Sequence, residues 1–229
     1  MVEFVVKWYE RLLSKTNEKE ILVNKMASLL EGKPHESCLE IGLGTSPYFA
    51  SNLSKYFKKY TIVEKRITDL NLPKKIRLIN EDWEKIEIKE KFDVIIASHV
   101  IYYFKNKKKA AEKIFTLLNT GGRAYFGVNG KESDYGLLKY AFSNLINKEY
   151  IFTYDELMNL IKGKKFREYT IPSSIYFSSY EDLFETLRIS FDHYPKEYEN
   201  LKNEMINYFK EHIKGNSFIV DQKIIEVYK

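Results

Sequence analysis

The 229-residue chain carries a single cysteine, Cys38, so it closes no internal disulfide and offers no cysteine-rich metal site. So little cysteine fits a reducing compartment, and a cytoplasmic location is the expectation. Long hydrophobic runs are missing as well: no apolar stretch approaches the roughly 18 residues that a membrane span needs. The first residues mix Phe4 and Trp8 with Lys7, Glu10 and Arg11, which is not the pattern of a secretory leader. An excess of one charge is also lacking. The 37 basic and 32 acidic residues leave a net charge of +5, and the cluster Lys105, Lys107, Lys108 and Lys109 reads as a solvated surface rather than a nucleic-acid footprint. Internal repeats, low-complexity tracts and flexible linkers are absent, so a single compact unit is expected.

What is present is an ordinary globular composition, 44% hydrophobic and 30% charged, with 15% aromatic residues. Two helical patterns open the chain. Residues 2–14 align Phe4, Val5, Trp8 and Leu12, and residues 18–30 align Leu22, Met26, Leu29 and Leu30 before Gly32 and Pro34. Strand and helix signals then alternate. Short apolar runs at 37–41, 60–63, 75–80, 92–97 and 123–128 predict strands, while 46–58 and 106–118 predict helices. Continuous apolar strands separated by helices predict an α/β fold with a mostly parallel sheet covered on both faces. Beyond Val128 the spacing predicts helices at 133–145, 154–162, 179–191 and 195–213, with strands at 166–171 and 224–228. The segment 173–216, with two helices between the late strands, is expected to cap an acceptor site.

The strongest local signal is Glu40-Ile41-Gly42-Leu43-Gly44-Thr45-Ser46, where a strand turns into a helix. Glycines there allow positive φ and let the backbone approach a ligand. A dinucleotide fingerprint would need glycine at 47, where Pro47 stands, and no Gly-Lys-Ser/Thr phosphate loop is present. The turn therefore suits a ligand that places no pyrophosphate at the helix start. Glu64 ends the second strand 20 residues beyond Gly44, where an acid can accept hydrogen bonds from two ribose hydroxyls. Asp82 follows the third strand and can accept from an adenine amino group, with Trp83 offering a ring face. Ser98 and His99 end the fourth strand, at the sheet edge where open α/β folds bind ligands.

Residues 37–128 resemble the cofactor-binding half of class I, Rossmann-like methyltransferases. Leu39-Glu40-Ile41-Gly42-Leu43-Gly44 is similar to the family's first motif, Val63-Glu64 to its ribose-binding acid, and Glu81-Asp82-Trp83 to its adenine segment. Phe92 to His99 resembles the fourth-strand motif, and Leu117 to Gly122 the loop before the fifth strand. Ser46 stands where the family often has a third glycine, and a small residue fits there. The resemblance implies a doubly wound, seven-stranded, mostly parallel sheet and S-adenosylmethionine as cofactor, held by Glu40, Gly42, Gly44, Glu64, Asp82, Trp83 and Ser98. It covers residues 37–128 of one methyltransferase domain, with N-terminal helices at 1–36 and acceptor-side elements at 129–229.

A fainter likeness joins Ile101-Tyr102-Tyr103 and residues 134–140 to small-molecule N-methyltransferases of the histamine-methylating kind, which implies a small-molecule acceptor. Methyl transfer from a sulfonium is an in-line displacement governed by alignment, and a base is needed only for a protonated acceptor. His99 is the candidate for that proton, with packing or a backbone hydrogen bond as its competing role. Tyr102, Tyr103, Tyr135 and Tyr176 are candidate acceptor-binding rings, with core packing as theirs. No resident metal or membrane partner is expected. RNA or protein methylation, or non-catalytic cofactor binding, are the alternatives.

Overall fold

The computed structural model describes residues 6–32, 35–66 and 72–229. Phe4, Val5 and Pro34, named in the helical patterns above, lie outside those residues. The chain divides into two compact units. The larger comprises Lys19–Asn129, Thr153–Thr170 and Lys223–Lys229, the smaller Met1–Glu18, Gly130–Phe152 and Ile171–Gln222.

The larger unit is built on a mixed, mostly parallel seven-stranded sheet in the order β3-β2-β1-β4-β5-β7-β6. The strands are β1 (His35–Ile41), β2 (Phe57–Val63), β3 (Ile76–Ile79), β4 (Phe92–Ser98), β5 (Leu118–Asn129), β6 (Phe166–Tyr176) and β7 (Ser217–Tyr228). The pairs β1–β2, β1–β4, β2–β3 and β4–β5 are parallel. After β1 the chain adds β2 and β3 on one side, then crosses to place β4 on the other. That reversal makes the carboxyl ends of β1 and β4 the position where such sheets hold ligands. Val94, Ile95, Ile96 and Ala97 are each no more than 2% exposed. Consecutive burial means that both sheet faces are covered, as the unbroken apolar strands predict.

Several elements differ from the expectation, each for a local reason. Residues 46–58 do not form one helix. Helix α3 (Tyr48–Leu53) begins after Pro47 and passes through a tight turn at Ser54–Tyr56 into β2. Phe57 pairs with His35, and the sequence Phe57-Lys58-Lys59-Tyr60 runs buried, exposed, exposed, buried as a strand. The Gly121-Gly122 pair lies inside β5, where residues 119–122 bulge so that Phe92 faces Leu118 while Val94 faces Arg123. Gly122 must lack a side chain, because a Cβ would stand 2.9 Å from the Asn119 carbonyl oxygen. Helix α2 (Glu18–Leu30) forms as expected but buries Val23 instead of Leu29. Helix α4 (Lys107–Leu117) starts where Asn106 Oδ1 accepts the Lys109 amide at 3.0 Å, and α6 (Thr153–Leu160) completes this unit.

The smaller unit contains α1 (Val6–Lys15), α5 (Asp134–Leu145), α7 (Tyr180–Leu187), α8 (Pro195–Asn200) and α9 (Lys202–His212), with the adjoining ends of β6 and β7. The expected helix at 195–213 is broken at Leu201, whose φ of −95° and ψ of 20° close α8 and open α9. Aromatic stacking organises this core. The Tyr198 ring lies between Phe184 at 4.4 Å and Phe191 at 4.3 Å, nearly parallel to both. Helix α1 buries no residue fully, and Leu12 packs against the core from its edge. Its Arg11 and Lys15 hold the Asp182 carboxylate at 2.8 and 3.0 Å.

Candidate functional site

The glycine turn leaves β1 with φ of +79° at Gly42 and +69° at Gly44, values an L side chain seldom adopts. The Gly42 amide donates to the Val63 carbonyl at 2.9 Å, tying the turn to the end of β2. A Cβ on Gly42 would stand 2.8 Å from Val100 Cγ2, so glycine is required here for packing as well as for conformation.

Glu64 is the centre of the turn. It is 3% exposed, and each of its two carboxylate oxygens accepts two hydrogen bonds. Oε2 accepts the Leu43 and Gly44 amides at 2.8 and 3.3 Å, while Oε1 accepts the Arg66 amide and Nε at 3.0 and 3.2 Å. Sequence reasoning missed Arg66, although a cation two residues beyond a strand-end acid was a legible signal.

Glu40 precedes the turn on β1. It is 4% exposed and accepts the Tyr60 hydroxyl at 2.7 Å across the β1–β2 pair. Burial pushes its pKa up to about 7, against the lowering effects of the Tyr60 hydrogen bond and the Lys19 ammonium. The Glu40 carboxylate therefore lies within the sheet, paired with Tyr60. Trp83 likewise belongs to the core at 4% exposure, and Lys113 Nζ covers its ring at 4.2 Å from the centroid. Asp82, beside it, uses Oδ1 to accept the Glu84 amide at 2.9 Å and so shapes the loop after β3.

The carboxyl ends of β4 and β5 gather the remaining polar groups. Ser98 pairs with Gly127, and a Cβ on Gly127 would collide with the Ser98 hydroxyl, so this glycine makes room for it. Ser98 Oγ and Asn129 Oδ1 are buried without hydrogen-bond partners, as is Trp83 Nε1. His99 follows with φ of +50°, one of two non-glycine residues with positive φ among those described. Its amide donates to the Gly127 carbonyl at 2.9 Å, and its Nδ1 lies 2.8 Å from the Tyr102 hydroxyl. Tyr102 stands on the tight turn Ile101–Tyr103, with the Tyr103 ring edge-on at 6.0 Å. Asn129 was not foreseen, though its place at the end of β5 was a usable signal.

Tyr135 and Tyr176 belong to the smaller unit. Tyr135 is 8% exposed in its aromatic core, whereas Tyr176 is half exposed at the end of β6. Beside Tyr135, the fully buried Lys139 has its ammonium 3.8 Å from the Phe191 centroid and 4.8 Å from that of Tyr150. Burial lowers its pKa to about 7, opposed by the Asp192 carboxylate.

These features fit a ribose-bearing ligand. The turn keeps two glycines at positive φ, a buried acid stands at the end of β2, and the Ser98 hydroxyl holds unused hydrogen-bonding capacity at the switch point. Among the described residues no cluster of His, Cys, Asp or Glu could hold a metal, and no helix is long and apolar enough to cross a membrane.

Comparison with known proteins agrees. No curated protein matches the sequence. Among solved structures, a proposed methyltransferase from Bacillus halodurans aligns over 90% of this chain and 98% of its own, at 13% identity and a TM-score of 0.64. The YcgJ protein of Bacillus subtilis aligns over 92% and 98%, at 16% identity and 0.61. The N-methyltransferase NodS of Bradyrhizobium japonicum, in complex with S-adenosyl-L-homocysteine, aligns over 93% and 87%, at 13% identity and 0.54. At such identities the likeness is one of fold. The family described as "Methyltransferase domain" matches residues 7–212, and with nearly the whole chain covered, the protein belongs to this family of S-adenosylmethionine-dependent methyltransferases.

Proposed function

We propose that the protein methylates a small-molecule acceptor at the carboxyl ends of β1 and β4. The observation that carries this reading is His99, held at positive φ beside the switch point and tied through Nδ1 to Tyr102. Backbone strain of this kind collects at functional sites, where the surrounding structure over-determines it.

Bound S-adenosylmethionine supplies an activated methyl on a sulfonium sulfur. The chain's own residues have binding and alignment to do. Gly42 and Gly44 shape the loop that cradles the ligand, and Glu64 both fixes that loop and accepts ribose hydroxyls. Of its two oxygens, Oε1 is the one open to exchange, because its Arg66 partner has a side chain 32% exposed. Asp82 accepts from the adenine amino group, and Ser98 donates its uncommitted hydroxyl. Glu40 and Trp83 support the site from within the sheet and the core. His99 holds or orients the proton of the acceptor, and Tyr103 supplies ring surface to it.

A small acceptor is supported by the likeness of Ile101-Tyr102-Tyr103 to small-molecule N-methyltransferases, and by the N-methyltransferase NodS among the structures sharing this fold. One buried cysteine suits a cytoplasmic setting. The test is transfer of labelled methyl to a metabolite extract and, in parallel, to total RNA and total protein. Label in the metabolite fraction is expected. Label confined to RNA or protein would replace the small acceptor with a macromolecule, and no label with intact cofactor binding would indicate a binding protein.

A further inference from the structure

His99 is fixed through its amide, its backbone and its ring. Its amide is fixed by the Gly127 carbonyl at 2.9 Å, its backbone by the left-handed φ of +50°, and its ring by the Tyr102 hydroxyl 2.8 Å from Nδ1. The two rings lie 5.9 Å apart and within 24° of parallel, so the imidazole plane is set as well as its edge. Tyr102 is in turn fixed. The Asn129 amide donates to its hydroxyl at 3.3 Å, and the neighbouring Ile101 is 1% exposed, which anchors the turn in the core. The chain Asn129 amide, Tyr102 hydroxyl, His99 Nδ1 therefore joins the end of β5 to the end of β4.

An imidazole has two unlike nitrogens, and the bond made by one decides which carries the proton at the other. We infer that Tyr102 is a positioning residue acting through His99: its hydroxyl fixes the imidazole tautomer and ring plane, and so sets how Nε2 meets the acceptor. This differs from lining the acceptor site, because the hydroxyl is directed at His99 and the Asn129 amide. The inference rests on the reading of His99 given above. Removing the hydroxyl takes from Nδ1 the partner that selects its tautomer. The phenyl ring that remains still fills the space, so a Tyr102→Phe variant keeps the packing while losing the bond.

The experiment combines nitrogen-15 NMR of the His99 ring with turnover across pH, on the wild type, Tyr102→Phe and His99→Asn. In the wild type one tautomer is expected to dominate above the imidazole titration. In Tyr102→Phe the two nitrogen shifts should move toward averaged values. The same variant should lose roughly ten- to a hundredfold in kcat, with the acidic limb of the pH profile displaced and cofactor affinity within about twofold of the wild type by calorimetry. Unchanged nitrogen shifts in Tyr102→Phe would overturn the positioning role whatever the activity shows. Full turnover in His99→Asn would overturn the underlying reading of His99 instead, and the NMR distinguishes the two failures.

Discussion

Replacing Glu64 with glutamine tests the glycine turn most directly. The carboxylate accepts four donors: the Leu43 and Gly44 amides and the Arg66 amide and Nε. A carboxamide of the same shape keeps one oxygen and replaces the other with an NH2, which donates and cannot accept. The retained oxygen will face Leu43 and Gly44, whose amides are the more buried, and the NH2 will then oppose the two Arg66 donors. The Arg66 side chain is 32% exposed, so water takes over part of the loss, and the cost falls toward the low end of about 1–3 kcal/mol per abandoned group. We expect a loss of about 2 kcal/mol in urea denaturation. Glu64→Ala strips the Leu43 amide as well and should cost about 2–4 kcal/mol. Calorimetric titration with S-adenosylmethionine and S-adenosylhomocysteine should show affinity weakened by about ten- to a hundredfold in Glu64→Ala, since the ribose hydroxyls lose an acceptor. Refutation would come from Glu64→Gln unfolding within experimental error of the wild type, or from Glu64→Ala binding both ligands normally.

Three further outcomes are expected. Gly42→Ala places a Cβ 2.8 Å from Val100 Cγ2 at a φ of +79°, and should lose about 1–3 kcal/mol of stability and at least about tenfold in cofactor affinity, by denaturation and calorimetry. Glu40, pushed up to about 7 from 4.5, keeps in the folded state a proton that the unfolded chain releases, so its contribution is fully present below about pH 4.5 and is lost as pH rises through about 7. That amounts to about 3 kcal/mol, and Glu40→Gln should flatten this part of the stability–pH curve. Lys139 works in the opposite sense: lowered to about 7 from 10.5, it makes the wild type gain stability as pH climbs from about 7 to 10. Lys139→Met should remove that rise and unfold at higher urea than the wild type at pH 6. An unchanged slope in either variant would disprove the burial cost assigned to that group.

Much of the larger unit was legible because its signals are local. Apolar runs bounded by turn residues mark β1, β2 and β4, and the spacing from Gly44 to Glu64 follows from one helix and one strand. The late strands were read short, at 166–171 and 224–228, because Ser173, Ser174, Asp221 and Gln222 look like loop residues. Their polarity is satisfied by long-range partners that no window detects: Ser173 Oγ accepts from Gln222 at 3.0 Å and donates to the Val220 carbonyl at 2.9 Å. The site showed the same limit. Strand ends point to Glu64, Ser98 and His99 as candidates, but only the fold shows that Glu40 meets Tyr60, that Lys113 covers Trp83, and that Tyr102 reaches His99.

The lone cysteine has a practical consequence. Cys38 lies in β1 between the two central pairings, is 0% exposed, and has its thiol pKa pushed well up by burial, with Glu40 adding to the effect. A thiol reagent needs both access and thiolate, and the folded chain offers neither. Labelling must therefore wait for β1 to come out of the sheet. With no second cysteine to confuse the signal, the alkylation rate becomes a clock for opening of the cofactor-binding core. Cofactor bound to the glycine turn that begins one residue after Ile41, the end of β1, should slow that clock in proportion to its occupancy.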